Sequence, residues 1–131
     1  MAETLVIKLD GKPFEASFLT DLAPVTCRAL RAVRPIRGEI YHAMWSGPIC
    51  LLNFDLGALA LENATTFFSP GDLLYHPVHK EIGIAYGATQ FREPTGAAYT
   101  TLIGRLRGDL SPLIEIGSRL QRTGARPIEI L

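Results

Sequence analysis

The chain holds three histidines, His42, His76 and His79, two of them in the string His76-Pro77-Val78-His79, with Glu81 two residues further on. Three imidazoles and a carboxylate form a ligand set that suits Zn²⁺ with one position left open. His42, His76 and His79 are therefore the candidate metal ligands. Pro77 separates this string from the helical i, i+4 spacing that makes two histidines converge on one ion. Hydrogen-bonded strand-end histidines explain the pattern more simply, and no cofactor is expected.

Aromatic side chains cluster around the same positions. Tyr41, Trp45, Tyr75 and Tyr86 alternate in sequence with His42, His76 and Glu81. Tyr and Trp combine an apolar body with a polar tip, the usual make-up of a small-ligand pocket. Arg92, in a Pro- and Gly-containing loop over 88–96, is placed to reach across such a cleft and clamp a carboxylate. These residues make one cleft only if their strands turn them to one face; ordinary core packing accounts for about half of such aromatics.

Nucleophilic chemistry finds less support. Cys50 lies among apolar neighbours, where a thiol acts as a small hydrophobe. Ser46, beside Trp45 and Gly47 and near His42, is the one candidate nucleophile, but no GxSxG elbow and no orienting Asp accompany it. Arg28, Arg31, Arg34 and Arg37 put four cations within ten residues. They read as a solvated helix face and its exit turn, with an anion-binding patch as the alternative.

The elements that must position these groups follow from periodicity. Leu5, Ile7 and Leu9, then Phe14, Ala16 and Phe18, alternate around Asp10-Gly11, which predicts a hairpin over 4–18. Pro24 opens and Pro35 closes a helix over 24–33, with Leu22, Val25, Ala29, Leu30 and Val33 as its apolar stripe. A second hairpin spans 38–54, its first strand running to Ser46, and residues 55–66 read as irregular. Strands follow over 72–76, 81–86 and 98–106, where Gly104 weakens the strand or marks a bulge. Ser111-Pro112 caps and starts a helix to about Arg122, with Leu110, Leu113, Ile114, Gly117 and Leu120 as its buried face. Residues 127–131 form a last strand. Two helices are too few to cover a parallel sheet, so the pattern predicts a mainly β, antiparallel closed barrel with a short helix at each end.

The 131 residues are 47% apolar and 20% charged, the composition of one globular domain over 1–131. Thirteen basic and thirteen acidic side chains cancel, and only three are Lys, which argues against nucleic-acid and membrane-surface partners. Cancellation hides segregation, for residues 38–91 hold five acids and one Lys. The opening residues show neither a basic nor an apolar leader region, and Cys27 and Cys50 lack CxxC spacing. A cytoplasmic protein with reduced thiols is expected.

Several strings resemble the cyclophilins in order. Leu22-Ala-Pro-Val-Thr-Cys-Arg-Ala-Leu30 is similar to that family's first helix, and Gly38-Glu-Ile-Tyr-His-Ala-Met-Trp-Ser-Gly47 resembles the strand pair with its Phe-His-Arg signature. Ile103-Gly-Arg-Leu-Arg-Gly-Asp-Leu110 resembles the approach to the last helix. Pro70-Gly-Asp-Leu-Leu-Tyr-His-Pro77, Glu81-Ile-Gly-Ile-Ala-Tyr-Gly87 and Trp45-Ser46-Gly47 are similar to short, uncharacterised bacterial cyclophilin-like proteins. The resemblance implies a cyclophilin-like barrel. It also implies no prolyl isomerase, because Ala43 and Leu51 stand where that activity has an Arg and a Gln. The expected function is binding of a small polar metabolite by Tyr41, His42, Trp45, Tyr75, His76, Glu81, Tyr86 and Arg92. A metal-assisted or Ser/His hydrolase of an amide-like substrate, and a non-catalytic subunit of a homo-oligomer, are the alternatives.

Overall fold

The computed structural model describes residues 3–131; Met1 and Ala2, part of the opening read for a leader, lie outside them. In chain order the elements are β1 (Glu3–Leu9), β2 (Lys12–Phe18), α1 (Pro24–Val33), β3 (Ile36–His42), β4 (Ile49–Asn53), β5 (Ala64–Thr65), β6 (Phe67–Phe68) and β7 (Asp72–His76). There follow β8 (Glu81–Ala85), β9 (Thr89–Gln90), β10 (Arg92–Glu93), β11 (Gly96–Ala97), β12 (Thr100–Leu106), α2 (Ser111–Thr123) and β13 (Arg126–Ile130).

Asp10 and Gly11 both take positive φ, 51° and 80°, the backbone that a two-residue hairpin turn demands. The register of β1 on β2 follows, from Leu9 opposite Lys12 to Glu3 opposite Phe18. Eight strands run in the order β2-β1-β13-β3-β4-β8-β7-β12, all antiparallel, and β12 pairs back onto β2. The result is the closed antiparallel barrel that the period-two segments predict. Of these eight, the four drawn from 36–85 (β3, β4, β8 and β7) are contiguous and form one side of the barrel. Gly104 does mark a bulge: the register between β12 and β7 shifts between Leu102 and Gly104. A Cβ at Gly104 would stand 2.6 Å from the carbonyl oxygen of Ser17, so only glycine admits this approach.

The interior is filled from each of the eight barrel strands, with Leu5, Ile7, Phe14, Ile40, Cys50, Leu73, Tyr75, Ile84, Ile103 and Ile128 among its members. Both helices pack onto this core. Helix α1 does so through Thr26, Cys27 and Leu30. Its expected stripe is wrong at three positions, since Leu22, Val25 and Val33 are exposed. No side chain at its own N-cap serves α1; Glu62, from the irregular connection, accepts the N–H groups of Val25 (3.1 Å) and Thr26 (2.8 Å) instead. Helix α2 buries Leu113, Ile116, Gly117 and Leu120, while Ile114 is exposed, so the apolar face is rotated from the expected one. Ser111 lies inside α2 and does not cap it: Leu110 holds the N-cap position, and Asp109 Oδ1 accepts the Ser111 N–H at 3.0 Å. Among the described residues no helix is long and apolar enough to cross a membrane.

Candidate functional site

A strand turns successive side chains to opposite faces, and directly opposed residues of neighbouring strands share a face. On the outer face Tyr41 stands opposite Leu51, Leu51 opposite Gly83, and Gly83 opposite Leu74. The next row on that face is Asn53, Glu81 and His76. Gly83 contributes no side chain, and a Cβ there would lie 2.8 Å from Leu74 Cδ1 and 3.1 Å from Leu51 Cδ2. That gap lets Leu51 and Leu74 close over β8. With Ala43, Ile49, Phe68, Ala85 and Phe91 they build a second apolar cluster outside the barrel.

Strand β3 ends at His42, so Trp45 and Ser46 sit in the loop 43–48 rather than on the expected strand. This loop is fastened to the segment 89–98. Ser46 Oγ accepts the Arg92 N–H (2.8 Å) and donates to the Arg92 carbonyl (3.0 Å), and Thr89 Oγ1 donates to the Ser46 carbonyl. Between loop and segment lies a cleft of about 310 Å³, floored by Ala43, Leu51 and Phe91 and walled by Tyr41, Trp45, Glu81, His79 and Glu93. Trp45, the sole tryptophan of the chain, is 55% exposed there.

The polar side of the cleft is built on two contacts. Tyr41 Oη lies 2.9 Å from Glu81 Oε2 and 2.9 Å from Asn53 Oδ1, and its single proton goes to the carboxylate. Burial, followed by the hydrogen bond and charge of Glu81, pushes the phenol up to about 12, so it is neutral throughout the physiological range. Glu93 Oε1 lies 2.6 Å from Nε2 of His76 and 3.0 Å from Nε2 of His79. Hydrogen bonding from His76, against a smaller desolvation penalty, holds the Glu93 carboxyl below the usual carboxylate range, and the nearby His79 adds to this.

His76 Nδ1 is the acceptor for the backbone N–H groups of Val78 and His79, both at 3.2 Å. A nitrogen that accepts carries no proton, so neutral His76 is protonated at Nε2 and donates to Glu93. The ligating atoms of His76, His79 and Glu93 do fall within 4.8 Å of one another. Ligation through His76 Nε2 would require moving its proton to Nδ1, against two backbone donors. The trio fits a hydrogen-bonded clamp better than a metal site.

Of the expected site residues, Tyr41, Trp45, Glu81 and Arg92 line the cleft, and His76 supports it from beneath through Glu93. His42, Tyr75 and Tyr86 do not belong to it. Tyr75 is fully buried in the barrel, where its hydroxyl accepts the Leu56 N–H at 3.0 Å. His42 lies on the same face as Cys50; its Nδ1 lies 2.8 Å from the Ala43 carbonyl and its Nε2 2.7 Å from Tyr86 Oη. Tyr86 in turn lies flat against Gly117 of α2, where any Cβ would come within 2.4 Å of its ring. Period two explains the split, because Tyr41 and His42, like Tyr75 and His76, are consecutive. His42 is likewise no partner in the His76–His79 group, whose third member is Glu93. Sequence reasoning missed Glu93, although it adjoins Arg92 in the one loop singled out to overhang a cleft.

The expected nucleophile pair is not assembled. Ser46 Oγ is engaged by the Arg92 backbone, and both ring nitrogens of His42 are taken up elsewhere. Burial pushes the Cys50 thiol up to about 12, in keeping with a small hydrophobe. Within the arginine group, Arg37 pairs with Glu129 at 2.9 Å, and Arg28 acts on the Glu62 cap by its charge.

Fold and cleft together define a small eight-stranded β-barrel protein with a ligand-sized hollow on its outer wall. The chain belongs to the family described as protein of unknown function (DUF3830), which matches residues 5–131. Solved structures that share the fold include two at low sequence identity. One is the solution structure of the hypothetical protein AF2241 from Archaeoglobus fulgidus, with TM-score 0.68 and 18% identity over 98% of this chain and 93% of that one. The other is McbB in complex with tryptophan, with TM-score 0.71 and 13% identity over 96% of this chain and 43% of that one. No curated protein matches the chain.

Proposed function

We propose that the protein binds a small polar metabolite in the outer cleft, on a barrel of cyclophilin-like topology, in the cytoplasm. The observation that carries this reading is the Tyr41–Glu81 pair, a neutral phenol held on a carboxylate above the apolar floor of the hollow and beside Trp45. Small-molecule sites combine an apolar lining with a few placed polar groups in about 300–1,000 Å³, and this cleft stands at the lower end. Arg92 overhangs the mouth, where its Nη2 donates to Gln90 Oε1 at 3.1 Å. Ala43 and Leu51 also line the cleft. Where the cyclophilin resemblance implies an Arg and a Gln, the surface therefore offers no side-chain donor to a prolyl amide, and no isomerase acceleration is expected.

The test is a metabolite panel followed by the emission of Trp45. Saturable changes that weaken at least several-fold in Tyr41→Phe support the proposal. A panel without any hit, or hits indifferent to Tyr41→Phe, overturns it. Measurable prolyl isomerisation would overturn the placement of Ala43.

A second reading, self-association, draws on one observation. Val25 and Val33 on α1, with Leu22 just before it, are exposed apolar side chains. Light scattering decides: a monomer at high concentration removes it.

A further inference from the structure

Several acidic groups of the described residues are already engaged. Asp10, Asp72 and Glu129 each pair with an arginine, at 2.7, 3.0 and 2.9 Å, and Glu62 takes the first amides of α1. Glu81 has no such partner. Half-buried in the cleft wall, it receives the Tyr41 hydroxyl, and no cation of the described residues pairs with it. An ionised carboxylate offers about four acceptor positions, so most of its capacity is open to the cleft. Glu93 lines the same hollow and uses only Oε1 for the two imidazoles. A charge withdrawn from water without a counter-ion is costly, and a bound cation relieves that cost.

Three further observations agree. Apart from Ser46, His79 and Arg92 the rest of the lining is apolar or aromatic, and Tyr41 and Trp45 supply aromatic rings of the kind that attract cations. The guanidinium of Arg92 is turned to Gln90 rather than to either carboxylate. Across the sheet Glu81 stands opposite Asn53 on β4 and His76 on β7, so neither neighbouring strand sets a Lys or Arg against it.

Building on the reading of the cleft as a small-ligand site, we propose that its ligand class is an organic ammonium. Glu81 takes the charged nitrogen, and the aromatic wall takes a compact apolar body. An anion of the same shape would meet two carboxylates and be repelled.

Three probes of matched shape test this: phenethylamine, 2-phenylethanol and phenylacetate, titrated calorimetrically and by Trp45 emission. The amine is expected to bind at least ten-fold more tightly than the alcohol, and phenylacetate not to bind. Glu81→Gln should remove most of that preference while leaving the alcohol unchanged, and Glu93→Gln should reduce it less. Equal binding of all three, or better binding of phenylacetate, overturns the ammonium class while the cleft itself stands. So does an amine preference that survives both variants, or displacement of the amine by Zn²⁺. Failure of all three probes overturns the ammonium class too, and the cleft falls with it only if the metabolite panel also finds nothing.

Discussion

Glu93 Oε1 rests 2.6 Å from Nε2 of His76, a ring only 3% exposed, and that contact decides which nitrogen holds the proton. It joins the segment over the cleft to the end of strand β7. Replacing Glu93 with Ala leaves a buried N–H without an acceptor, a loss on the order of 1–3 kcal/mol. Glu93→Gln keeps an amide oxygen there and should lose less. The Glu93 carboxyl is depressed in the fold, so the unfolded chain binds its proton more readily. Its contribution is full above the ordinary value of 4.5 and disappears as pH falls through the depressed one. Urea midpoints of wild type and Glu93→Gln should therefore differ at neutral pH and converge in acid.

The same tautomer sets an expectation for metal. With Nδ1 of His76 accepting two backbone N–H groups, Zn²⁺ in moderate excess should leave the thermal midpoint unchanged. A rise of several degrees, abolished by His79→Ala, would show that the ring turns over to ligate.

At Gly83 the outer apolar cluster closes where a side chain is missing. Gly83→Ala would press on Leu74 and Leu51, and overpacking of this kind costs about 1–3 kcal/mol. Combining it with Leu74→Ala should recover part of the loss, because the new methyl then enters the space left by leucine. A double-mutant cycle with no coupling would contradict the packing described.

Glu62 serves α1 as a remote cap. Loss of a cap costs about 0.5–2 kcal/mol, and Glu62→Ala should fall in that range. Despite desolvation, which opposes it, hydrogen bonds from Thr26 and Val25 hold the Glu62 carboxyl below the ordinary range. Its contribution too is present above the ordinary value and lost in acid. Hydrogen exchange at the Val25 and Thr26 amides should speed up in the variant, while exchange in the middle of the barrel strands moves less.

Tyr86→Phe removes the hydroxyl that meets His42 and should cost about 0.5–1.5 kcal/mol. Because Tyr86 packs toward α2 and not the cleft, probe binding should not change. A several-fold change in affinity would show that the two faces communicate.

Much of the barrel was legible because its determinants are local. Asp10-Gly11 dictates a turn, and the alternation on either side assigns faces without help from the rest of the chain. The bounds of α1 were equally readable from Pro24 and Pro35. Its buried face was not, for Thr26 goes inward only because Glu62, thirty-six residues on, satisfies its hydroxyl and amide. The cleft divides in the same way. That Tyr41 and His42 cannot share a face was present in the sequence as parity, and grouping them by proximity overlooked it. For Glu93 the only signal was its place beside Arg92, since its role arises when the loop folds back onto His76.

Strand β13 lies between β1 and β3, with Ile130 opposite both Ile7 and Ile36. On the ribosome every other strand is made before it. The cylinder therefore stays unsealed until β13 is made, with β1 and β3 each holding out a row of unsatisfied backbone groups. Closure depends on contacts of very large sequence separation, which are slow to form. A nascent chain arrested before residue 126 would thus be an open sheet prone to pair with its neighbours.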